Sequence, residues 1–212
     1  MSGTGSEPTE VEFYYGLGSR YSYLASTQIT GLEAETGCRV TWHPLYSADL
    51  MAHAGRDPFA GEPQSGQYDW TYRQADAEAW ADYYGVPFRE PRDIVFKPRE
   101  AALACLAAGR LGATAPFSHR LFRAIFAEGL TPLDGPAYGR LASEIGLDGE
   151  RLRDGIGDPE TMAAHAVNIE RAVSRGAFGV PTFHVPAAGR TFWGNDRLPL
   201  VRHCLAGLAG AD

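Results

Sequence analysis

The sequence contains no C-x-x-C pair, and its three cysteines, Cys38, Cys105 and Cys204, are far apart and odd in number. Such spacing builds neither a disulfide framework nor a zinc knuckle, and dithiol redox chemistry is excluded with them. Long apolar runs are missing too. No stretch approaches the roughly 20 apolar residues that span a bilayer, and the opening MSGTGSEPTE has neither a basic nor an apolar signal region. No membrane partner is therefore expected, and the cytoplasm is the expected compartment. Clustered Lys and Arg are also absent; with a formal net charge of −7 the chain lacks the basic surface that nucleic acid requires. The 6 histidines show no ligand spacing and no carboxylate pattern completes a triad, so no metal centre is expected.

What the chain does have is enough apolar material for a sizeable core, 44% of 212 residues, in a length that suits one domain or one domain carrying an insertion. Val11, Phe13 and Tyr15 alternate as a strand. After a glycine-containing turn, Tyr21, Leu24, Ala25, Ile29 and Leu32 form one helical stripe that stops at Gly37, and Cys38, Val40 and Trp42 alternate as a second strand. A helix between two strands implies a right-handed crossover and a parallel pair. From Ala52 to about Gly157 alternation disappears and helical punctuation replaces it. Helices are expected near Tyr68 to Tyr84, from Pro98 to Gly112, from Pro116 to Gly129, and behind Asp134 and Asp148 as caps. A helix from about Asp158 carries Met162, Ala166, Ile169 and Val173 as its apolar stripe, followed by a hairpin of Val180 to Val185 and Arg190 to Trp193 and a last helix with Leu198, Val201, Leu205 and Leu208. The expected architecture is an α/β thioredoxin-like domain (βαβ and αββα, residues 10–50 and 158–212) interrupted by an all-helical insertion (51–157).

Three constellations have the residue types for chemistry. Gly18-Ser19-Arg20-Tyr21-Ser22 joins the first strand to its helix, where unpaired N–H groups favour an anion; Ser19 and Ser22 repeat the spacing of a C-x-x-C motif. A hydroxyl there cannot shuttle electrons but can donate a hydrogen bond to a thiolate from outside; the plainer role for Ser19 is helix capping. Phe178-Gly179-Val180-Pro181-Thr182 opens a strand at a proline, a place for a cis peptide bond and for a backbone free to pair with a peptide-like ligand. In Trp193-Gly194-Asn195-Asp196-Arg197, Asp196 is placed to cap the last helix or to hold an ammonium group, with Asn195 beside it for a carboxylate.

The segments F-Y-Y-G-L-G-S-R-Y-S-Y-L-A, F-G-V-P-T-F and F-W-G-N-D-R-L resemble, in order, those of the 2-hydroxychromene-2-carboxylate isomerases and the related kappa-class glutathione transferases. Tyr72, Asp76, Trp80-Ala81 and Gly85-Val86-Pro87 look like that family's first insertion helix, so the resemblance covers nearly the whole chain. It implies a DsbA-like thioredoxin fold, a homodimer, glutathione as cofactor and a small aromatic substrate. By the same matching Ser19 is the catalytic serine that stabilises a thiolate, Val180 beside Pro181 pairs with the cysteinyl backbone of glutathione, and Asn195 and Asp196 hold its γ-glutamyl end. The implied reaction is glutathione-dependent isomerisation of an aromatic conjugated carbonyl or carboxylate; the alternatives are a thiol-independent isomerase or cyclase, or a kappa-type transferase. Gly16, Arg20, Arg56, Ala79 and Phe126 depart from the pattern, and two of these bear on the ligand. Arg20 replaces the proline after the serine, and Arg56, in Gly55-Arg56-Asp57-Pro58, replaces an asparagine. Both, with the neighbouring Tyr21, are candidate contacts to an anionic substrate.

Overall fold

Strand β1 (Glu10–Tyr15) is buried from Val11 onward, on both of its faces. Such a strand must be central and covered on two sides. In the computed structural model, which describes residues 7–55, 70–90 and 95–210, β1 lies between β2 (Arg39–Pro44), parallel to it, and β3 (Thr182–Val185), antiparallel to it. β3 forms a hairpin with β4 (Arg190–Trp193), so the sheet order is β2-β1-β3-β4. The turn of this hairpin is a 3-10 turn at Pro186–Ala188 closed by Gly189 at φ 60.

Helices cover both faces. One core cluster gathers Val11, Phe13 and Tyr15 with α1 (Arg20–Ser26), α2 (Ile29–Thr36), α5 (Pro98–Arg110), α6 (Thr114–Phe126), α7 (Gly135–Glu144) and α10 (Leu198–Ala209). Tyr14 points the other way, into a second cluster with Leu45, Leu50 of α3 (Ser47–Ala54) and Ile169 and Ala172 of α9 (Pro159–Ser174). α4 (Trp70–Tyr84) lies along α1, and α8 (Gly149–Ile156) packs on α5 and α7. The expected thioredoxin-like α/β fold with many helices between its two halves is what the structure shows; Tyr68, the expected start of α4, lies outside the described residues.

Four local expectations are corrected. The single stripe from Tyr21 to Leu32 is two helices, α1 and α2, broken at Thr27-Gln28: the Ser26 and Thr27 hydroxyls bond back to the Tyr23 and Leu24 carbonyls at 2.6 and 2.7 Å, a competition that bends a helix. α3 lies where no helix was expected. α9 turns Thr161, His165, Asn168, Ile169 and Ala172 inward and leaves Met162 and Ala166 exposed. The end of β2 decides this: Asn168 Nδ2 donates to the Pro44 carbonyl (3.0 Å) and the Tyr46 amide donates to His165 Nε2 (3.0 Å), so buried backbone groups claim the polar side of the helix. Finally, Asp196 makes no cap hydrogen bond to α10, whose N-cap is Arg197.

Candidate active site

The link between β1 and α1 is a tight loop in which the Ser19 amide donates to the Gly16 carbonyl at 3.0 Å. Ser19 is the N-cap of α1, in extended conformation, and its Oγ accepts the Ser22 amide at 3.1 Å. The Ser19 hydroxyl proton has no acceptor among the described residues, and the side chain is half-buried. Ser22 is fully buried, its Oγ accepting the Gly16 amide at 3.4 Å. Capping and chemistry are thus compatible at Ser19: a lone pair serves the helix while the O–H remains a donor.

The loop is wedged between two neighbours. A Cβ at Gly16 would sit 3.3 Å from Val180 Cγ2, and one at Gly18 would sit 3.4 Å from Pro98 Cγ at the start of α5. Glycine at 16 therefore lets Val180 come against the Ser19 loop. Val180-Pro181 is a cis peptide bond, and the Val180 N–H and C=O have no partner among the described residues. The Pro181 carbonyl accepts the Gly194 amide at 2.9 Å, which draws the third constellation to the same place. Gly194 has φ 118, a conformation few other residues adopt. Beyond it, a 3-10 turn at Asn195–Arg197 packs against α1. Asn195 is buried with its Nδ2 lacking a hydrogen-bond partner, while its carbonyl accepts the Tyr84 hydroxyl of α4 at 3.3 Å. Asp196 is exposed, 3.6 Å from the Arg197 guanidinium.

So the structure brings Ser19, Val180, Pro181 and Asn195 together, with Asp196 at the rim. Arg20 and Tyr21 are committed to other groups. The Arg20 Nε lies 3.0 Å from Glu90 Oε2, with both side chains about 95% buried, and the Trp70 ring stacks on the guanidinium at 4.5 Å. Burial lowers the Arg20 pKa, with Glu90 acting against the shift; burial raises that of Glu90, outweighing Arg20 and Arg73. Tyr21 donates to Asp76 Oδ2 at 2.7 Å, and burial followed by that bond raises its phenol. Arg56 lies outside the described residues. Reasoning from the sequence missed Glu90 and Trp70. The signal for them was Arg20 itself, since a cation placed on the first turn of a buried helix needs a carboxylate close by.

The cysteines take no part. All three are buried and free, and burial pushes the Cys105 thiol up to about 12 beside Tyr15 and Ser118. Among the described residues no group of His, Cys, Asp or Glu could hold a metal ion, and no helix is long and apolar enough to cross a membrane.

A parallel strand pair extended by an antiparallel hairpin, with the β1–α1 loop packed against the residue before the hairpin's proline, defines a thioredoxin-fold protein. The chain belongs to the DsbA-like thioredoxin domain family, which it matches over residues 10–206. It is 28% identical over 195 residues to the 2-hydroxychromene-2-carboxylate isomerase of Sphingobium xenophagum, covering 92% of this chain and 97% of that one. It is 26% identical over 211 residues to the kappa 2 glutathione S-transferase of Caenorhabditis elegans, covering 92% and 91%. A solved 2-hydroxychromene-2-carboxylate isomerase superposes with a TM-score of 0.81 over 94% of this chain and 96% of that one, at 22% identity, a likeness in fold.

Proposed function

We propose that the protein is a glutathione-dependent isomerase of the 2-hydroxychromene-2-carboxylate isomerase type, acting on a planar aromatic compound with a conjugated carbonyl and a carboxylate. The observation that carries the reading is the Ser19 hydroxyl: it caps α1 where a redox relative has its attacking cysteine, its proton has no acceptor among the described residues, and its loop packs at Gly16 against Val180, whose N–H and C=O have no partner among those residues. Bound glutathione would supply a thiolate that adds reversibly to a conjugated carbon, so that a double bond becomes free to rotate and no net redox change occurs.

The donors and acceptors present fit that group. The Ser19 O–H donates to the sulfur anion, and the positive end of α1 adds to its stabilisation. The Val180 N–H and C=O pair with the cysteinyl backbone as an added strand would. Asn195 Nδ2, buried and lacking a partner, donates to a carboxylate, and the Asp196 carboxylate at the rim takes an ammonium group. Pro181 stands next to Val180, and Arg20, beside the Tyr21 ring, is the residue that receives an anionic substrate; Arg56 is a candidate for the same role by the family resemblance alone. Free, buried cysteines suit a reducing compartment, so we place the enzyme in the cytoplasm, and as a homodimer on the strength of the family resemblance.

Calorimetric titration with glutathione, on the wild type and on Ser19→Ala and Asp196→Ala, tests the reading. Saturable binding that weakens in Asp196→Ala supports it; absence of binding to the wild type overturns the glutathione assignment. A second reading, conjugation of glutathione to an electrophile, is favoured by the likeness to the kappa-class relative. Product analysis separates the two: a stable thioether identifies a transferase, and an isomer without thioether identifies the isomerase. Turnover in the absence of any thiol would leave a thiol-independent isomerase or cyclase instead.

A further inference from the structure

The buried pair beside Ser19 is incomplete. Arg20 Nε and Glu90 Oε2 meet at 3.0 Å with about 95% of each side chain buried, yet Arg20 Nη1, on the same guanidinium, has no hydrogen-bond partner among the described residues. Leaving a buried cationic donor dry costs stability, and a pair that served only to brace the fold would be expected to close its hydrogen bonds. Trp70 stacks on the guanidinium and is itself 39% exposed, so the pair lies one side chain beneath the surface.

The surroundings set what can enter. Among the described residues, the charged and titratable groups acting on the pair are Arg73 and Asp76 of α4 and Tyr21 of α1. A second carboxylate admitted to Arg20 would stand against the Glu90 carboxylate at one guanidinium, two anions on one cation in a poorly hydrated place. That repulsion is relieved if Glu90 takes a proton from solvent as the ligand arrives. The unpaired guanidinium nitrogen then gains an acceptor, and the new Glu90 O–H becomes a donor to the ligand.

We propose that Glu90 is a positioning and specificity residue that holds Arg20 ready in the absence of substrate and yields it to the carboxylate of the substrate by becoming protonated. Substrate binding is thereby coupled to proton uptake, and neutral analogues of the same shape bind more weakly because they bring Arg20 Nη1 no anionic acceptor. This deepens the isomerase reading by naming the group that receives the substrate's anion, and it rests on that reading for its ligand class. The upward shift of the buried Glu90 carboxyl agrees with it: burial disfavours the Glu90 anion more than Arg20 and Arg73 favour it.

The test uses cinnamate as the planar conjugated carboxylate and methyl cinnamate as its neutral counterpart, titrated calorimetrically into the full chain, with and without glutathione. Runs in phosphate and in Tris at one pH report protons exchanged, because the two buffers differ in ionisation heat. Expected are uptake of up to about one proton per cinnamate by the wild type, weaker binding as pH rises, and affinity for methyl cinnamate at least about tenfold lower. Glu90→Gln abolishes proton uptake and flattens the pH profile while cinnamate still binds; Arg20→Met weakens cinnamate by about tenfold or more and leaves methyl cinnamate unchanged. Circular dichroism confirms that each variant is folded, and Arg20→Lys, if folded, restores part of the affinity. Cinnamate binding without proton uptake, affinity equal for acid and ester, or no cinnamate binding under either condition overturns the proposal. Glutathione titrated into the same proteins keeps the two readings apart, since loss of glutathione binding with proton-coupled cinnamate binding intact would sink the cofactor and spare the role of Glu90.

Discussion

Ser19 and Ser22 stand at the spacing of a redox pair, but they are joined through the backbone: Ser19 Oγ accepts the Ser22 amide at 3.1 Å, and Ser22 Oγ accepts the Gly16 amide at 3.4 Å. The two hydroxyls therefore do different work. Ser22 closes the loop from inside the core, while Ser19 caps the helix and keeps a proton to donate.

Ser22→Ala is expected to cost about 1 kcal/mol of stability for one buried amide left unpaired, with turnover unchanged. Ser19→Ala is expected to cost about as much through the lost cap and to lower kcat by about 10²–10³, the usual effect of deleting one donor to a reacting anion. Thermal melts and steady-state rates on the two variants check both halves. Equal rates in Ser19→Ala and wild type would reduce the serine to a cap.

A thiol-directed prediction follows from burial. Cys38, Cys105 and Cys204 are all buried, with burial pushing the Cys105 thiol up to about 12 and raising that of Cys38. Thiols held protonated and dry are poor nucleophiles. Ellman's reagent is expected to find none of the three reactive in the folded protein and all three after unfolding. Rapid native reaction of any cysteine would mean that a protein thiol, and not only an external one, is available to the site.

Gly179 sets the position of Val180. A Cβ there would approach Trp193 Nε1 at 2.7 Å and Cε2 at 3.1 Å, and the Trp193 ring is itself packed on Phe178, with centroids 4.9 Å apart. Gly179→Ala must move that ring or the backbone, at a cost of about 1–3 kcal/mol. Since Val180 follows directly, the same change is expected to weaken glutathione by about tenfold or more, measured by titration of the folded variant. Unaltered affinity would remove Val180 from the binding site.

How far the sequence could be read is clear from these residues. The local structure at Ser19, Val180-Pro181 and Asn195 was legible because each sits at a junction where local rules are strong: a cap, a proline at a strand start, a turn before a helix. The strand pairing followed from alternation and crossover geometry. What was not legible depends on groups distant in the chain. Glu90 has no motif around it, and only the three-dimensional approach of α1 to the stretch after α4 makes it the partner of Arg20. The inward face of α9 was misread for the same reason, because the Pro44 carbonyl and the Tyr46 amide, not the apolar pattern, choose His165 and Asn168. The break at Thr27-Gln28 was open to a local reading, since a Ser-Thr pair at a helix end competes for its own carbonyls.

The final prediction concerns acid. His43 is buried, stacked on Tyr14, with Nδ1 3.2 Å from Asn168 Oδ1 and Nε2 unpartnered, and burial followed by Arg171 lowers its pKa below the ordinary 6.5. As pH falls through 6.5 the unfolded chain gains a proton that the folded one refuses, so stability drops. His119, His165 and His184 are lowered for the same leading reason and share this step. Glu12 acts in a lower window. Burial opposes its charge, but the bidentate Arg175 contact at 2.9 and 3.2 Å and the Tyr14 hydroxyl at 2.9 Å outweigh it, leaving the carboxyl below its ordinary 4.5. Its contribution is complete above 4.5 and is lost as pH falls toward the lower folded value. Because Arg175 is partly exposed, that contribution is about 1–2 kcal/mol, a shift of roughly 2–4 °C per kcal/mol in a chain of this size. Melting temperature plotted against pH is therefore expected to fall in two steps. Glu12→Gln lowers the curve above 4.5 and flattens the second step, and His43→Gln trims the first; a second step unchanged in Glu12→Gln would assign the acid sensitivity to other carboxylates.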